Sequence, residues 1–159
     1  MMKGTDVRKQ TGKSGHPRNE TIRTIQDLAR IKASYRRMVD RYPYQLLICA
    51  GAGCISSDCG KVKKAATEEI ARLGLSDQVL IHETGCMGTC AVGPVMLILP
   101  DRTFYTELTP ATTVEIIRSH IVSGRIAEEH TFFDHSLNRR IPCIDDIDFF
   151  RDQDRKSVV

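Results

Sequence analysis

A chain of 159 residues is long enough for one domain with a hydrophobic core and for extensions outside that core. Lys and Arg exceed Asp and Glu by only three, aromatic residues make up 6% and Trp is absent, so neither a nucleic-acid groove nor a disordered chain is indicated. No apolar run reaches the roughly 20 residues that cross a bilayer, and the first residues lack the apolar stretch of a secretory signal. We therefore expect a cytoplasmic protein with no transmembrane segment and no nucleic-acid partner.

A polar arm and a helix are the first elements predicted along the chain. Residues 1–19 are rich in Lys, Arg, Gly, Ser and Thr without a hydrophobic period, which indicates a flexible or partner-docked arm. Over residues 20–42 apolar side chains recur at helical spacing, with most arginines on the other side. This pattern predicts an amphipathic N-terminal helix that ends before Pro43.

Residues 44–83 predict a β-α-β unit. The apolar runs YQLLIC and QVLIHE have the composition of strands, and the helical stripe between them ends at Gly74. Such a crossover places its two strands parallel and side by side. The carboxyl ends of both strands then open onto the same edge of the sheet.

An antiparallel hairpin and a helix complete the predicted domain. The runs VMLIL and TFYTEL flank a tight Pro-Asp-Arg link, and Thr109 is expected to cap a helix that begins at Pro110. The side chains expected to face inward from this helix are Val114, Ile117 and Ile121. The order β-α-β then β-β-α in a mixed sheet predicts an α/β, thioredoxin-like domain over residues 43–124, with an N-terminal helix and extended tails. Pro94 precedes the third strand, where thioredoxin-like domains place a cis proline.

The segment 125–159 has aromatic pairs without a clear period, and we interpret it as a C-terminal linker or docking tail. Its Phe residues are expected to pack on some other surface, and it is not expected to be a second domain. Cys143 in this tail is interpreted as a free, packed thiol. The dibasic pair Arg139-Arg140, like Arg36-Arg37 in the first helix, is interpreted as a solvated or partner-contacting surface.

The remaining five of the six cysteines fall at the predicted sheet edge. In a reducing compartment, clustered thiols indicate a metal or redox chemistry rather than structural disulfides. Cys49 ends one strand and Cys54 follows it in a Gly-rich loop, so their thiolates can converge with those that follow the next strand, Cys86 and Cys90. The glycines of both loops allow tight turns that bring backbone N–H groups toward a negative centre, as an iron–sulfur cluster requires; they are Gly51, Gly53, Gly85 and Gly88.

Cys59 leaves an alternative open, because Cys54 and Cys59 repeat the spacing of Cys49 and Cys54. We favour Cys49, which ends its strand directly beside the second loop. Cys59 is expected in the first turn of the following helix, capped by Asp58 or Ser57. There it would be an unligated thiol, whose helix-start position could lower its pKa and make it reactive.

Other chemistries fit the same residues less well. Four thiolates also suit zinc, although the first pair lies at the wide end of zinc spacing, and no C-x-x-C exists for a thiol–disulfide role. Gly51-x-Gly53-x-x-Ser56 is similar to a dinucleotide fingerprint, but the third small position is Ser and the cysteine loops would obstruct the cofactor. His82 could serve as a Rieske-like ligand, but we interpret it as a packing or hydrogen-bonding histidine since four cysteines suffice.

Three stretches, LLICAGAGCISSDCG, ETGCMGTCAVGPVMLI and FYTELTPATTVEII, resemble the thioredoxin-like 2Fe-2S ferredoxin domain. In particular they are similar to the version at the amino end of the NADH-binding flavoprotein subunit in complex I relatives and electron-bifurcating hydrogenases. The resemblance spans about residues 22–150. It implies a 2Fe-2S cluster on the cysteines that match Cys49, Cys54, Cys86 and Cys90.

The same resemblance implies one-electron transfer in an NADH-linked, multi-subunit oxidoreductase. No nucleophile–base pair or substrate pocket is evident in the sequence, so we expect no substrate site on this chain. The expected partners are flavoprotein and other iron–sulfur subunits, with a second copy of the chain as the alternative. In the family an FMN- and NADH-binding domain follows a segment like IDDIDFF-x-x-Q, near which this chain ends. FMN and NADH are therefore expected only on a partner or on a downstream domain. The competing hypotheses are a zinc-stabilised interaction module without redox activity and a peroxide or thiol–disulfide enzyme that uses Cys59.

Overall fold

A computed structural model describes residues 22–152 of the chain. These residues divide between two compact units, which meet in sequence at Tyr35 and Arg36. The arm expected at residues 1–19 lies outside the described residues. None of the helices within them is long and apolar enough to cross a bilayer.

The helices and strands follow the predicted order, with additional short helices and a second sheet. The α-helices are α1 (Ile25–Val39), α2 (Ala52–Ser56), α3 (Cys59–Arg72), α4 (Pro110–Ile116) and α5 (Asp148–Arg151). The strands are β1 (Tyr44–Cys49), β2 (Val79–Thr84), β3 (Met96–Leu99), β4 (Thr103–Tyr105), β5 (Phe132–Asp134) and β6 (Arg139–Ile141). Short 3₁₀ turns cover Cys90–Val92, Glu128–His130 and Ile144–Asp146, and a π turn covers Ile117–Val122.

Helix α1 is amphipathic, as its sequence predicts. Thr24 and Asp27 cap its first turn reciprocally, because each backbone N–H donates to the other side chain, at 3.0 and 3.1 Å. No residue of α1 is buried, and the apolar Ile25 and Leu28 are exposed. The apolar stripe of this helix is therefore solvent-facing in the described chain.

A four-stranded mixed sheet in the order β2-β1-β3-β4 forms the centre of the second unit. β1 and β2 are parallel, as the predicted β-α-β crossover requires, and β1–β3 and β3–β4 are antiparallel. The last residue of β1, Cys49, lies opposite Thr84, the last residue of β2. The two segments that carry the cysteines therefore leave the sheet side by side.

Side chains that alternate along the strands form two hydrophobic clusters, one on each face of the sheet. On one face, Leu46 and Ile48 of β1 pack with α3 and with the helix that begins at Pro110. On the other face, Leu97 and Phe104 pack with Cys49 and with apolar residues of the C-terminal segment. Both faces of the sheet are therefore covered by the chain itself.

The helix after β4 begins as predicted and then departs from regular α geometry. Thr109 and Thr112 form a capping box, and Pro110 is the first helical residue. From residue 117 the chain forms a π turn, which shifts the inward face. The fully buried set is therefore Thr113, Ile116, Ile117 and His120, whereas the predicted Val114 and Ile121 are half-buried.

A buried carboxylate links this helix to α3. Glu69, only 5% exposed, accepts hydrogen bonds from Arg72 and from Arg118, each guanidinium Nε lying 2.8 Å away. The hydrogen bonds from Arg72 and then from Arg118 lower the pKa of Glu69 to about 2. A buried charge is tolerated at this position because two cations neutralise it.

The C-terminal segment needs a correction, because residues 127–150 pack on their own domain rather than serving as a linker that docks elsewhere. β5 and β6 form a hairpin, and isolated bridges join Thr103 to Cys143 and Tyr105 to Thr131. The Phe104 N–H donates to the carbonyl of Pro142 at 2.8 Å. The buried residues Ala127, Ile141, Ile144 and Ile147 anchor the segment. The segment has no single hydrophobic period because strand, turn and 3₁₀ geometry alternate over a few residues each.

Candidate metal centre

The first cysteine-bearing segment contains a short helix where a loop was expected. β1 ends at Cys49, Gly51 precedes α2, and Cys54 lies in the middle of α2. Neither Gly51 nor Gly53 has a positive φ, so tight turning is not the reason for glycine there. In the second segment Gly88 does have a positive φ, +84°, as a tight turn after β2 requires.

The structure brings the four predicted thiols together at the edge where β1 and β2 end. Cys49 and Cys54 are buried, whereas Cys86 and Cys90 are exposed. The Sγ atoms of Cys86 and Cys90 are 3.9 Å apart, and Cys49 contacts both Cys54 and Cys86. The site therefore has a protein-covered side and a solvent-facing side.

The thiols form a row of neighbours, in the order Cys54, Cys49, Cys86 and Cys90, and do not surround a single point. A tetrahedral metal with metal–sulfur bonds of about 2.3 Å holds two thiolates about 3.8 Å apart, close to the Cys86–Cys90 separation. One zinc ion would impose that separation on every pair of its ligands. Within residues 22–152, which include all six cysteines, no three thiols lie within 4.8 Å of one another. This arrangement fits a two-metal centre better than a zinc tetrahedron.

Backbone N–H groups point at the sulfur atoms. Burial raises the pKa of the Cys49 thiol, but hydrogen bonds from the N–H groups of Gly51 and Met87, together with those to Cys54 and Cys86, outweigh it, so the net shift is downward. The Gly88 N–H donates to Cys86 Sγ at 3.3 Å. Such donors favour a negative centre, as expected for a site that binds thiolates or sulfide.

The pKa of the buried Cys54 is shifted upward in the metal-free protein, in contrast to that of Cys49. Burial, followed by contact with Cys49, raises its pKa to about 12. Cys90 also has a raised pKa, because it shares a hydrogen bond with Cys86. Since a metal binds the thiolate form, loading this site must release protons from these thiols.

Three glycines lie close to the cysteines, and at Gly51 there is no room for a Cβ. A Cβ built on Gly51 would lie 2.8 Å from Cys86 Cβ and 3.0 Å from its Cα. A Cβ on Gly53 would lie 3.1 Å from Cys90 Sγ, and one on Gly93 would lie 3.1 Å from Cys54 Sγ. The two glycines of the dinucleotide-like pattern, Gly51 and Gly53, therefore lie directly against Cys86 and Cys90.

Cys59 begins α3, as predicted, but its environment differs from the expectation. Asp58 precedes the helix with a positive φ and makes no side-chain capping bond. Cys59 is 5% exposed, and burial followed by the nearby Cys49 raises its pKa. The suggestion that the helix start lowers its pKa is therefore wrong.

The other residues discussed from the sequence lie apart from the four thiols or have structural contacts. Cys143 is a free, half-buried thiol, 3.9 Å from an oxygen of Asp145. Arg140 lies over the ring of Phe133 and donates to the carbonyl of Thr131. The peptide bond before Pro94 is cis, as its position suggested, and the bond between Leu99 and Pro100 is also cis.

Two residues near the thiols were missed in the sequence. Thr89, between Cys86 and Cys90, has a buried hydroxyl oxygen without a hydrogen-bond partner in the described chain, and His82 Nε2 is likewise unpartnered. Phe149 lies over Gly88, and its ring would come within 2.9 Å of a Cβ there. No sequence signal marks the Thr89 hydroxyl as buried, and Phe149 could be found only by placing the C-terminal segment.

A cavity of about 600 Å³ lies elsewhere, along α4 and residues 123–129, and no cysteine lines it. At its margin Glu115, Glu129 and His130 bring potential metal-ligating atoms within 4.8 Å of one another, but both carboxylates are exposed. Neither feature adjoins the thiols described above.

The fold and the thiols together define an α/β domain with a metal centre at one end of its sheet. The sequence model of the thioredoxin-like 2Fe-2S ferredoxin family matches residues 24–120, more than half of the chain. The chain belongs to this family. The buried C-terminal segment at residues 127–150 lies beyond the matched region.

Individual relatives agree with this assignment. A 2Fe-2S ferredoxin of Clostridium pasteurianum is 31% identical over 75 residues, which are 47% of this chain and 74% of that protein. A 2Fe-2S ferredoxin of Aquifex aeolicus is 37% identical over 49 residues, 31% of this chain and 44% of that protein. The crystal structure of the thioredoxin-like 2Fe-2S ferredoxin from Aquifex aeolicus superposes with a TM-score of 0.53 and 26% identity, over 56% of this chain and 95% of that one. The predicted thioredoxin-like fold is thus confirmed.

Family membership makes a 2Fe-2S cluster the cofactor of this protein. The residues present fit it: four thiols are neighbours at one sheet edge, backbone donors face them, and glycines leave space beside them.

Proposed function

We propose that Cys49, Cys54, Cys86 and Cys90 hold the 2Fe-2S cluster and that the protein transfers single electrons through it. The observation that carries the proposal is the convergence of two cysteine-bearing segments at the carboxyl ends of β1 and β2. When bound, the cluster takes up one electron and passes one on, with no bond chemistry on the protein. The chain supplies the thiolates, the backbone donors and the covering side chains.

The solvent-facing side of the site is the place we assign to electron exchange. Cys86 and Cys90 are exposed, whereas Cys49 and Cys54 are 2% and 1% exposed. A partner that docks over residues 86–90 would approach the centre more closely than one on any other face. The buried pair packs instead with β3, β4 and the C-terminal segment.

We further propose that the protein works in the cytoplasm within an NADH-linked, multi-subunit oxidoreductase of the complex I or electron-bifurcating hydrogenase type. The support is the resemblance of its cysteine segments to the ferredoxin domain of NADH-binding flavoprotein subunits. In this context FMN and NADH bind to a partner or a downstream domain, and the described domain carries electrons between flavin and other iron–sulfur centres.

Anaerobic purification or reconstitution is expected to give a coloured protein with two irons and two sulfides per chain, as a 2Fe-2S ferredoxin requires. Dithionite should reduce it by one electron and give a paramagnetic signal that integrates to one spin per cluster. The measurements are metal and sulfide analysis, visible absorption and electron paramagnetic resonance. A colourless protein with one zinc per chain would instead support the zinc-stabilised interaction module.

The same loaded protein tests the NADH-linked context. NADH alone should leave the cluster oxidised, and a co-purified flavoprotein subunit should make its reduction by NADH catalytic. Purification with native partners, followed by identification of co-purifying subunits, supplies that flavoprotein. If the partners bind no flavin and NADH never reduces the cluster in their presence, the context is wrong although the electron-carrier function stands.

A further inference from the structure

The hydroxyl of Thr89 is an unusual polar group in this domain. Its Oγ1 is buried and has no hydrogen-bond partner, a state shared by only one other side-chain atom among residues 22–152, His82 Nε2. Buried hydroxyl groups in native proteins are normally paired, because leaving one unpaired costs its desolvation free energy. A partner for Thr89 is therefore to be expected in the functional form of the protein.

Protein groups near Thr89 do not supply that partner. Thr89 precedes the 3₁₀ turn Cys90–Val92, where a threonine commonly accepts a backbone hydrogen bond through its side chain. Here it makes no such capping bond. The Val92 N–H donates to the backbone carbonyl of Thr89 at 3.1 Å, and the Gly93 N–H donates to the carbonyl of Cys90. The local donors are thus satisfied without the hydroxyl.

The position of Thr89 indicates which acceptor is missing. It directly precedes Cys90 and follows Cys86 by three residues, within the segment whose Gly88 N–H already donates to a cysteine sulfur. Sulfide and thiolate sulfurs are hydrogen-bond acceptors, and a 2Fe-2S centre held by Cys86 and Cys90 would bring sulfide to this segment. The Thr89 hydroxyl can donate a hydrogen bond to such an acceptor.

We propose that the Thr89 hydroxyl donates a hydrogen bond to a sulfur of the 2Fe-2S centre and thereby positions the Cys86–Cys90 segment and raises the reduction potential. The inference rests on the proposed function of the four cysteines. Its physical basis is that a donor to cluster sulfur stabilises the reduced, more negative state more than the oxidised state. Thr89 is a positioning residue and not a ligand.

Thr89→Val and Thr89→Ser separate this role from simple packing. Valine keeps the shape of threonine and removes the hydroxyl, whereas serine keeps the hydroxyl and removes a methyl group. In the loaded protein, Thr89→Val should have a more negative midpoint potential and should bind the cluster about 10- to 100-fold more weakly, the usual effect of losing an outer-shell partner. Thr89→Ser should stay near wild type in both properties. The measurements are redox titration and the extent of cluster loss to a chelator.

The metal-free protein supplies the decisive contrast. There the hydroxyl has no partner, so Thr89→Val should unfold at the same temperature as wild type or a higher one. Packing alone would not make the substitution weaken cluster binding in the loaded protein while leaving the unfolding temperature of the metal-free protein unchanged or higher. An unchanged potential and unchanged cluster retention in loaded Thr89→Val would overturn the proposal, as would equal destabilisation of both forms. A wild-type protein that binds no cluster would instead refute the proposed function.

Discussion

Serine substitution is expected to reduce bound iron by about tenfold or more at each of the four proposed ligands: Cys49, Cys54, Cys86 and Cys90. Loss of an outer-shell partner already weakens metal binding by about 10- to 100-fold, so loss of a ligand should cost at least as much. Serine at Cys59 or Cys143 should leave two irons per chain. The measurement is iron and sulfide content after identical anaerobic reconstitution, read together with visible absorption.

Cys86→Ser, a ligand substitution, is best compared with Cys143→Ser, a control substitution of a non-ligand cysteine. Cys86 is exposed and Cys143 is half-buried, so neither serine opens a large cavity. The metal-free forms should therefore differ from wild type by only about 0.5 kcal/mol in unfolding free energy. Loss of iron in Cys86→Ser alone would then reflect a missing ligand and not a misfolded domain.

Cys49→Ser and Cys59→Ser decide whether Cys49 or Cys59 is a ligand together with Cys54, which the sequence leaves open. Cys49 lies at the strand end, contacts Cys54 and Cys86, and receives two backbone N–H groups. Cys59 is buried at the start of α3, the element that follows the first cysteine segment. If Cys59→Ser loses the iron and Cys49→Ser keeps it, the assignment of Cys49 as a ligand is wrong.

The convergence of the thiols could be predicted from sequence because it depends on strong, regular signals. Two short apolar runs with a helix between them define parallel neighbouring strands, and residues that follow such strands share an edge. Cys49 opposite Thr84 in the observed register is the direct consequence. The cap at Thr109 was predictable for a similar reason, since the Thr-Pro pair is a local signal that needs no tertiary contact.

The remaining features depend on tertiary contacts that a single sequence does not encode locally. The five residues of α2 are too few for a periodic pattern, so Cys54 was expected in a loop. The C-terminal segment buries Ile141, Ile144 and Ile147 at intervals of three, but through a strand, a 3₁₀ turn and a helix start, which no single period describes. The unpaired hydroxyl of Thr89 becomes apparent only when its surroundings are known.

Gly51→Ala is expected to abolish stable cluster binding, because the new Cβ would lie 2.8 Å from the Cβ and 3.0 Å from the Cα of Cys86. Gly51 has φ −68° and ψ 161°, which alanine adopts without strain, so the whole effect comes from the lack of space. Since the atoms it meets include backbone, the Cys86 segment must move. Overpacking of this kind costs about 1–3 kcal/mol, to be measured as a lower unfolding temperature of the metal-free protein.

Gly53→Ala and Gly85→Ala make the test of Gly51 quantitative. The Cβ of Gly53→Ala would meet Cys90 Sγ at 3.1 Å, a lesser conflict, so iron retention should fall between that of Gly51→Ala and wild type. Gly85 lies one residue from Cys86 and has open space around its Cβ position, so Gly85→Ala should keep two irons per chain. Equal iron content in all three variants would show that the two cysteine segments do not meet as closely as the structure has them. A graded loss would instead establish that the separation of α2 from the Cys86–Cys90 segment sets the fit of the cluster.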